Sequence, residues 1–294
     1  MKVLVTGGTG FVGRQIVDGL LAAGHLPRCL VRSAEKGQEL VAAGAELALG
    51  DVTDLASITA AAAGMDAAVH LVGIIRETRT ATFHSVHVEG TRNVTLALRE
   101  HGVDRLLHMS ALGTRPNAVS HYHQSKWRAE EAVTDSRLRF TIFRPSVIFG
   151  KGDGFTTSVV HLVRRAPVVP IIGTGTARFQ PISVEDVAGC FVASLDDDDT
   201  VGQTYELCGP EILTFPAYVD LVMSALGIRK RTARIPAALM KALVGVSEQF
   251  IPNLPITSDQ LVMSQEDGLC SDNAAISHFR RRLRKLSDAI TDIV

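Results

Sequence analysis

The chain of 294 residues has no uninterrupted apolar run approaching ~20 residues, so nothing in it is long enough to cross a bilayer as a helix. Excess charge of one sign is also missing. Lys and Arg number 30 against 31 Asp and Glu, a net charge of −1, and without a global basic field nucleic acid is not an expected partner. Cysteine is sparse: Cys29, Cys190, Cys208 and Cys270 stand far apart with no C-x-x-C pair, which argues against a zinc site and against a disulfide framework. A reducing, cytoplasmic setting is expected from that. The first apolar strand begins at Lys2, with no charged region, apolar core and cleavage site ahead of it, so no secretory signal is expected. Internal repeats and long low-complexity tracts are absent too. What is plentiful is apolar side chain, 46% of residues against 21% charged and 5% aromatic, enough for a substantial core built as one large α/β unit or a core with a smaller lobe.

The run Val3-Leu4-Val5-Thr6-Gly7-Gly8-Thr9-Gly10-Phe11-Val12-Gly13 carries an apolar strand straight into glycines spaced three apart. Helical spacing follows at Val12, Ile16, Leu20 and Leu21. Strand, turn and helix in that order are the setting of a dinucleotide site: Gly7 for the tight turn, Gly10 for close approach of a pyrophosphate, Gly13 for helix packing on the strand. The helix would direct its free N–H groups and the positive end of its dipole at the phosphates.

The next strand should select the cofactor, about 20 residues after the glycines, where an acidic side chain would bind ribose hydroxyls. Pro27-Arg28-Cys29-Leu30-Val31-Arg32-Ser33 ends instead in a guanidinium and a hydroxyl, which suit a 2′-phosphate through forked, charge-assisted bonds. NADP(H) is therefore favoured over NAD(H), the alternative being that Arg32 merely ends an edge strand in water. Asp51, in Gly50-Asp51-Val52, can accept from the adenine amino group, and a helix-capping role for Asp51 or Asp54 ahead of Leu55 stands beside that reading.

Six strands alternate with amphipathic stretches: Lys2–Thr6, Arg28–Arg32, Glu46–Leu49, Ala67–Val72, Arg105–Ser110 and Phe140–Arg144. The rhythm predicts an α/β fold, a Rossmann-like doubly wound parallel sheet with helices on both faces. After Arg144-Pro145 the rhythm breaks at Lys151-Gly152-Asp153-Gly154 and Gly173-Thr174-Gly175. The expected division is a dinucleotide-binding domain over 1–150 and a smaller C-terminal substrate or partner lobe over 151–294, some of whose segments return to the sheet. The acid run Asp196 to Asp199 reads as a solvated loop rather than a metal site. Pro236 to Ile251 forms an apolar helical stretch containing Leu239, Met240, Leu243, Val244, Val246 and Phe250. It reads as a core-facing helix, with docking to a partner or a membrane surface as the alternative.

The catalytic candidates are Tyr122 and Lys126, four apart on one face of an expected helix. An ammonium there would favour the phenolate, lower the tyrosine pKa from ~10 toward neutrality and hold the nicotinamide ribose.

Four features in order, Thr6-Gly7-x-x-Gly10-x-x-Gly13, Tyr122-x-x-x-Lys126, Arg144-Pro145-Ser146-Val147-Ile148-Phe149-Gly150 and Val184-Glu185-Asp186-Val187-Ala188, resemble the short-chain dehydrogenase/reductase superfamily in its extended or atypical branch, which includes NAD-dependent epimerases and dehydratases. More narrowly, His70-Leu71-Val72-Gly73-Ile74-Ile75-Arg76-Glu77, Phe179-Gln180-Pro181-Ile182 and Tyr205-Glu206-Leu207-Cys208-Gly209-Pro210-Glu211 resemble bacterial relatives of the nucleotide-binding accessory subunit of respiratory complex I. The resemblance implies hydride transfer at an oxygen-bearing carbon, with the tyrosine relaying a proton and a serine holding the substrate oxygen. Ser110 takes that role when the register is read from Gly113; read from the strand, the slot falls on Ala111 or Leu112. His87 stands where extended members often carry asparagine. His70, His87, His121 and His123 match no zinc spacing and are expected to be structural or to edge the pocket. The implied dinucleotide contacts are Thr6, Gly7, Thr9, Gly10, Phe11, Val12, Gly13, Arg32, Ser33, Asp51, Val52, Leu71, Val72, Gly73, Lys126 and Pro145.

Two functions are consistent with these features. One is an NADP(H)-dependent reductase, dehydrogenase or epimerase acting on a small oxygenated substrate. The other is an accessory protein whose bound NADPH stabilises the fold while its surface docks a respiratory complex, with a peripheral place on the inner face of a membrane.

Overall fold

Burial along the first strand alternates between two sides: Val3 and Val5 join one hydrophobic cluster, Leu4 another, and all three are wholly buried. A strand apolar on both faces belongs inside a parallel sheet covered on both sides. In a computed structural model that describes residues 1–247 and 256–294, strands β1 (Lys2–Thr6), β2 (Leu26–Val31), β3 (Glu46–Leu49), β4 (Ala67–His70), β5 (Arg105–Met109) and β6 (Arg139–Pro145) alternate with helices α1 (Phe11–Ala22), α2 (Gln38–Ala43), α3 (Leu55–Ala62), α4 (Gly90–Glu100) and α5 (His121–Asp135). Beyond β6 come β7 (Ile148–Phe149), α6 (Gly154–Arg165), β8 (Val168–Ile172), β9 (Arg178–Phe179), β10 (Ile182–Ser183), α7 (Val184–Leu195) and β11 (Gln203–Leu207). The chain ends with β12 (Leu213–Thr214), α8 (Phe215–Ala225), β13 (Arg231–Ile235), α9 (Ala237–Ser247), α10 (Ser258–Met263), α11 (Ala274–Ser277) and α12 (Leu286–Ile293).

The main sheet has seven strands in the order β11-β6-β5-β4-β1-β2-β3, parallel throughout. Strand order reverses between β1 and β4, which opens a crevice at their carboxyl ends. On one face α1 and α7 cover Val3, Val5 and Phe143; on the other α3, α4 and α5 cover Leu4, Leu106 and Ile142. This is the doubly wound, Rossmann-like fold expected, and each of the six expected strands ends within two residues of its place. A third cluster, Val159, Val163, Tyr218, Val222, Leu286 and Ile290, gathers α6, α8 and α12 into a smaller lobe. Two segments from the C-terminal half belong to the main sheet instead: β11 pairs with β6, and α7 packs on α1.

Glycine is required where backbones nearly touch. A Cβ on Gly209 would lie 1.6 Å from the carbonyl oxygen of Pro181, and one on Gly150 would lie 2.7 Å from Val184 Cγ1. The stretch Val184-Glu185-Asp186 also acquires a physical role here. Asp186 is buried, accepts from the Ser183 hydroxyl at the start of α7, and takes the Arg281 guanidinium at 3.3 Å and the Arg284 N–H at 3.0 Å. The carboxylate thus fastens the C-terminal segment to the sheet. The acid run is divided among separate partners: Asp197 meets His278, Asp198 meets Arg139, and Asp196 lies 3.7 Å from His25. Over the apolar stretch from Pro236 to Ile251 the backbone is helical through Ser247; the Val246 side chain and residues 248–251, Phe250 among them, lie outside the described residues. No described helix is long and apolar enough to cross a membrane.

One expectation is overturned. Cys208 and Cys270, separated by 62 positions, form a disulfide with their Cα atoms 6.1 Å apart, while Cys29 and Cys190 are free and buried. Spacing along the chain hid the pair because the segment after α10 folds back across the end of β11. Asn273 holds both the N–H and the C=O of Cys208, Gln180 accepts from the Cys270 N–H, and Glu206 accepts from Ser271. The short stretches around Gln180 and Glu206 therefore build this corner. Scattered cysteines no longer argue for a reducing compartment.

In unfolded but unreduced protein a thiol reagent should modify Cys29 and Cys190 alone. Reduction should lower stability by about 2–4 kcal/mol, read from the urea midpoint, since closing a long loop restricts the unfolded chain. Labelling of all four cysteines before reduction would refute the pairing.

Candidate dinucleotide and catalytic site

The glycine turn sits at the open end of the crevice. Gly7 has φ +82°, which favours glycine, and its position faces the Leu71 and Val72 backbone at 3.2 Å. A Cβ on Gly13 would lie 2.1 Å from the Gly7 carbonyl oxygen and 2.8 Å from Gly8 Cα, so this glycine is demanded by the protein's own packing. Gly10 differs. It is exposed, and an added Cβ would approach only the Gly7 oxygen, at 3.2 Å. As the N-cap of α1 it offers no side-chain cap, and no acid occupies the first turn. The leading N–H groups of α1 and its positive dipole end therefore face the crevice without a side-chain anion of their own. This end of the fold fits a pyrophosphate.

The other expected contacts fall along the same edge. Arg32, at the end of β2, keeps a side chain 77% exposed with Nε 3.9 Å from Asp51 Oδ2; Ser33 beside it is half-buried. Asp51 also accepts from the Thr53 N–H and hydroxyl, and Asp54 caps α3, as one reading of this loop expected. Val52 packs against Gly90, and Phe11 against Gly150. Leu71 donates its N–H to Thr6, and Pro145 accepts from Leu112. Thr9 is half-buried, and its carbonyl oxygen accepts from Arg14. Val12 and the Thr6 side chain are buried, the Thr6 hydroxyl donating to His70 Nδ1 at 2.6 Å, so these two support the turn from below.

Lys126, on α5, reaches the ends of β4 and β5. Its side chain is almost wholly buried, Nζ donates to the Met109 carbonyl oxygen at 3.0 Å, and the same Nζ would lie 3.1 Å from a Cβ on Gly73. Burial holds this ammonium down to about 8, with Glu130 pulling the other way. Glu130 is buried in a forked pair with Arg144, at 2.9 and 2.5 Å, and Arg144 lies over the Trp127 ring. Tyr122 packs edge-on to Phe83, His87 and His123. The expected lowering of its pKa is not found: burial pushes the phenol up to about 12. Ser110 is buried and donates to Thr114 at 3.3 Å, with no hydrogen bond to Tyr122 or Lys126 among the described residues.

Below Lys126 lies a layer of neutral imidazoles. His87 Nε2 accepts the Ile74 N–H at 2.9 Å, so Nδ1 carries the proton and donates to Ser125 Oγ at 2.8 Å; Ser125 in turn donates to the Tyr122 carbonyl oxygen. Thr91 donates to the His87 carbonyl oxygen and accepts from His70 Nε2, which leaves His70 Nδ1 to accept from Thr6. Burial, reinforced by Lys126, holds His70 down to about 3 and His87 to about 2. His108, opposite His70 on β5 with ring centroids 5.2 Å apart, is buried with neither nitrogen hydrogen-bonded. The structural role expected for His70 and His87 thus extends to His108, which carries no motif of its own although it shares a register row with Thr6 and His70.

The C-terminal segment contributes residues no local motif announced. Asp259 accepts the N–H groups of His121 and Tyr122 at 2.7 and 3.0 Å, placing a carboxylate at the N-terminus of α5 beside the Ser120 cap. Both carboxylate oxygens of Glu266 accept from Arg115 Nη2. A surface depression of 310 Å³ lined by Phe83, His84, His121 and Ser125 lies nearby and includes neither Tyr122 nor Lys126.

A family model described as NAD(P)H-binding matches residues 7–198. The mitochondrial subunit 9 of the NADH dehydrogenase [ubiquinone] 1 alpha subcomplex of Arabidopsis thaliana is 30% identical over 285 residues, 92% of this chain and 71% of that protein. The ceramide reductase of Caulobacter vibrioides is 34% identical over 191 residues, 65% of this chain and 60% of that protein. Among solved structures, an NADPH-dependent quinone oxidoreductase of Escherichia coli complexed with NADPH superposes with a TM-score of 0.80 over 99% of both chains at 18% identity, a likeness of fold.

Two contrasts test the site. Gly10→Ala should leave the urea midpoint nearly unchanged and weaken dinucleotide binding, whereas Gly13→Ala should destabilise the fold itself; equal behaviour of the two variants would contradict the turn geometry. For Lys126 the folded pKa of about 8 lies below the ordinary 10.5. Below pH 8 both states carry the charge and the folded state bears the full burial penalty. Between 8 and 10.5 the folded group releases its proton first, so stability rises with pH across that window. Without dinucleotide, Lys126→Met should therefore stabilise the protein at pH 7 by about 1–3 kcal/mol and abolish the alkaline rise. Loss of stability in this variant would contradict the account.

Proposed function

The chain belongs to the NAD(P)H-binding family, and from that premise we propose an NADPH-preferring reductase of the extended short-chain dehydrogenase/reductase type that delivers hydride to the carbonyl carbon of an oxygenated substrate. The observation that carries the reading is Lys126, buried and directed at Gly73 where the strand end of the dinucleotide crevice meets the helix bearing Tyr122. Bound dinucleotide supplies the hydride. Lys126 would donate to the nicotinamide ribose, relieving part of the penalty on its ammonium. Tyr122, its phenol kept protonated by burial, is suited to give a proton to the oxygen that gains negative charge. Ser110 would hold that oxygen once its hydroxyl turns from Thr114, and Ile74 is fixed by His87 on the other side.

NADPH preference is assigned to Arg32 with Ser33. The guanidinium is largely exposed and its Asp51 contact is loose at 3.9 Å, leaving its fork available to a 2′-phosphate. NAD(H) is the alternative. Arg32→Ala should remove the preference with about a tenfold or greater loss of NADPH affinity, since a hydrogen bond to a charged group contributes roughly 1.5–3 kcal/mol. Equal calorimetric affinities of the unaltered protein for NADPH and NADH would overturn the assignment.

The likeness to the plant mitochondrial subunit across 92% of the chain supports a second reading, an accessory protein in which NADPH stabilises the fold and the surface docks a respiratory complex at the inner face of a membrane. Turnover separates the two. For a reductase, Tyr122→Phe should leave NADPH binding nearly intact and cut carbonyl-dependent NADPH oxidation by roughly 10²–10⁴-fold. NADPH binding without oxidation across carbonyls, nucleotide sugars and quinones, together with capture of a membrane complex lost on Gly10→Ala, would favour the accessory role.

A further inference from the structure

Charge is distributed unevenly in the smaller lobe. Between Asp220 and Glu248 the charged residues are Arg229, Lys230, Arg231, Arg234 and Lys241, all positive, in a chain whose net charge is −1. Arg231 and Arg234 lie on β13, one of the two strands of a small sheet, and the strand is exposed from Arg231 to Arg234. Lys230 Nζ donates to the Arg164 and Ala166 carbonyl oxygens, which brings the exposed Arg164 and Arg165 to the same place. Among the described residues none of Arg164, Arg165, Arg229, Arg231, Arg234 and Lys241 pairs with a carboxylate.

Protection of a sheet edge against pairing would account for cations on β13 alone. It does not account for the helix joined to that strand. Pro236 leads directly into α9, where Ala238, Leu239, Ala242 and Leu243 are exposed, Leu239 and Leu243 by 52% and 54%, while Val244 is buried. The four positions form an i, i+4 pair of rows on one side of the helix. An exposed apolar helix face thus follows directly in the chain on a cluster of cations that pair with no carboxylate among the described residues. Protein partners with carboxylate-rich surfaces would satisfy the arginines but leave the leucines against charge. A bilayer of acidic glycerophospholipid satisfies both, attracting the guanidinium and ammonium groups to its phosphates and accepting the leucines at the headgroup–acyl boundary.

We propose that β13 and α9 form a docking surface for anionic membrane. The smaller lobe sits on the lipid by this face. Docking does not require turnover, so it is separable from the reductase reading.

The test is flotation of the whole chain with vesicles of phosphatidylcholine containing phosphatidylglycerol, against phosphatidylcholine alone, at low and high salt. Binding should be confined to the anionic vesicles and weaken with salt. Arg231→Gln with Arg234→Gln should weaken it about twenty-fivefold, each surface cation contributing roughly fivefold. Leu239→Ser with Leu243→Ser should weaken it at every salt concentration, and both variants should keep the parent melting temperature, since all four side chains are exposed. No binding to anionic vesicles, equal binding to phosphatidylcholine alone, or indifference to the arginine substitutions would overturn the proposal. So would a concentration-dependent dimer, seen by sedimentation and abolished by the leucine substitutions in protein that ignores vesicles, which would give the face to a second copy.

Discussion

An ammonium taken almost wholly out of water is expensive wherever it occurs, and the arrangement around Lys126 is organised by that cost. One carbonyl oxygen, from Met109, accepts directly, and Glu130, the carboxylate that favours its charge, is already engaged by the Arg144 fork. Positive charge from protonated histidine nearby would be intolerable, and the three imidazoles closest to it are all held neutral. A structural lysine would normally be given more. The deficit makes chemical sense when a ligand is to complete the shell, because hydroxyl oxygens brought to Nζ offset part of a penalty that the fold carries alone. Ligand binding and fold stability are then coupled through one atom.

The same charge explains why the polar layer beneath the crevice uses so many side chains. Thr6, His70, Thr91, His87 and Ser125 pass hydrogen bonds from β1 to the backbone of α5; the Ile74 N–H on His87 Nε2 sets the direction toward Ser125, and the Thr91 hydroxyl donating to the His87 carbonyl oxygen sets that of His70 and Thr6. An asparagine at position 87 could receive the Ile74 N–H, but the imidazole also stacks on Phe83 and meets the Tyr122 ring. His87 therefore positions the loop after β4 and the tyrosine together. His108 lies outside the series, buried beside His70 with both nitrogens unpaired. An unpaired imidazole in a core is destabilising, so this part of the molecule is less stable than an apolar filling would make it.

The sequence made legible whatever depends on neighbours along the chain. The glycine turn, the strand preceding it, the Asp54 cap and the Tyr122–Lys126 helix face all derive from local spacing, and all are found. Gly13 is closed in by the Gly7 and Gly8 backbone, whereas Gly10 stands open. The features that local spacing does not disclose depend on chain return. β11 is short and pairs with a strand more than fifty residues earlier, Cys270 reaches Cys208 only because the C-terminal segment crosses the end of β11, and Asp259 caps a helix begun at His121. The tyrosine pKa departs from expectation for a related reason. Four residues of helix place Lys126 on the right face, but depth decides the electrostatics, and burial dominates the phenol.

Chain return also bears on how the two halves can communicate. The segment that forms the disulfide corner continues on one side to Glu266 and Asp259, which hold Arg115 and the first turn of α5, and on the other to Arg281 and Arg284, which Asp186 holds at the start of α7. One strap therefore touches α5, the edge of the main sheet and the helix packed on the glycine-turn helix. Leu239 and Leu243 stand on the element preceding the described start of that strap. Asp259 joins this segment to α5 through the His121 and Tyr122 N–H groups, and its loss would remove a negative charge from the N-terminus of the helix that carries both Tyr122 and Lys126.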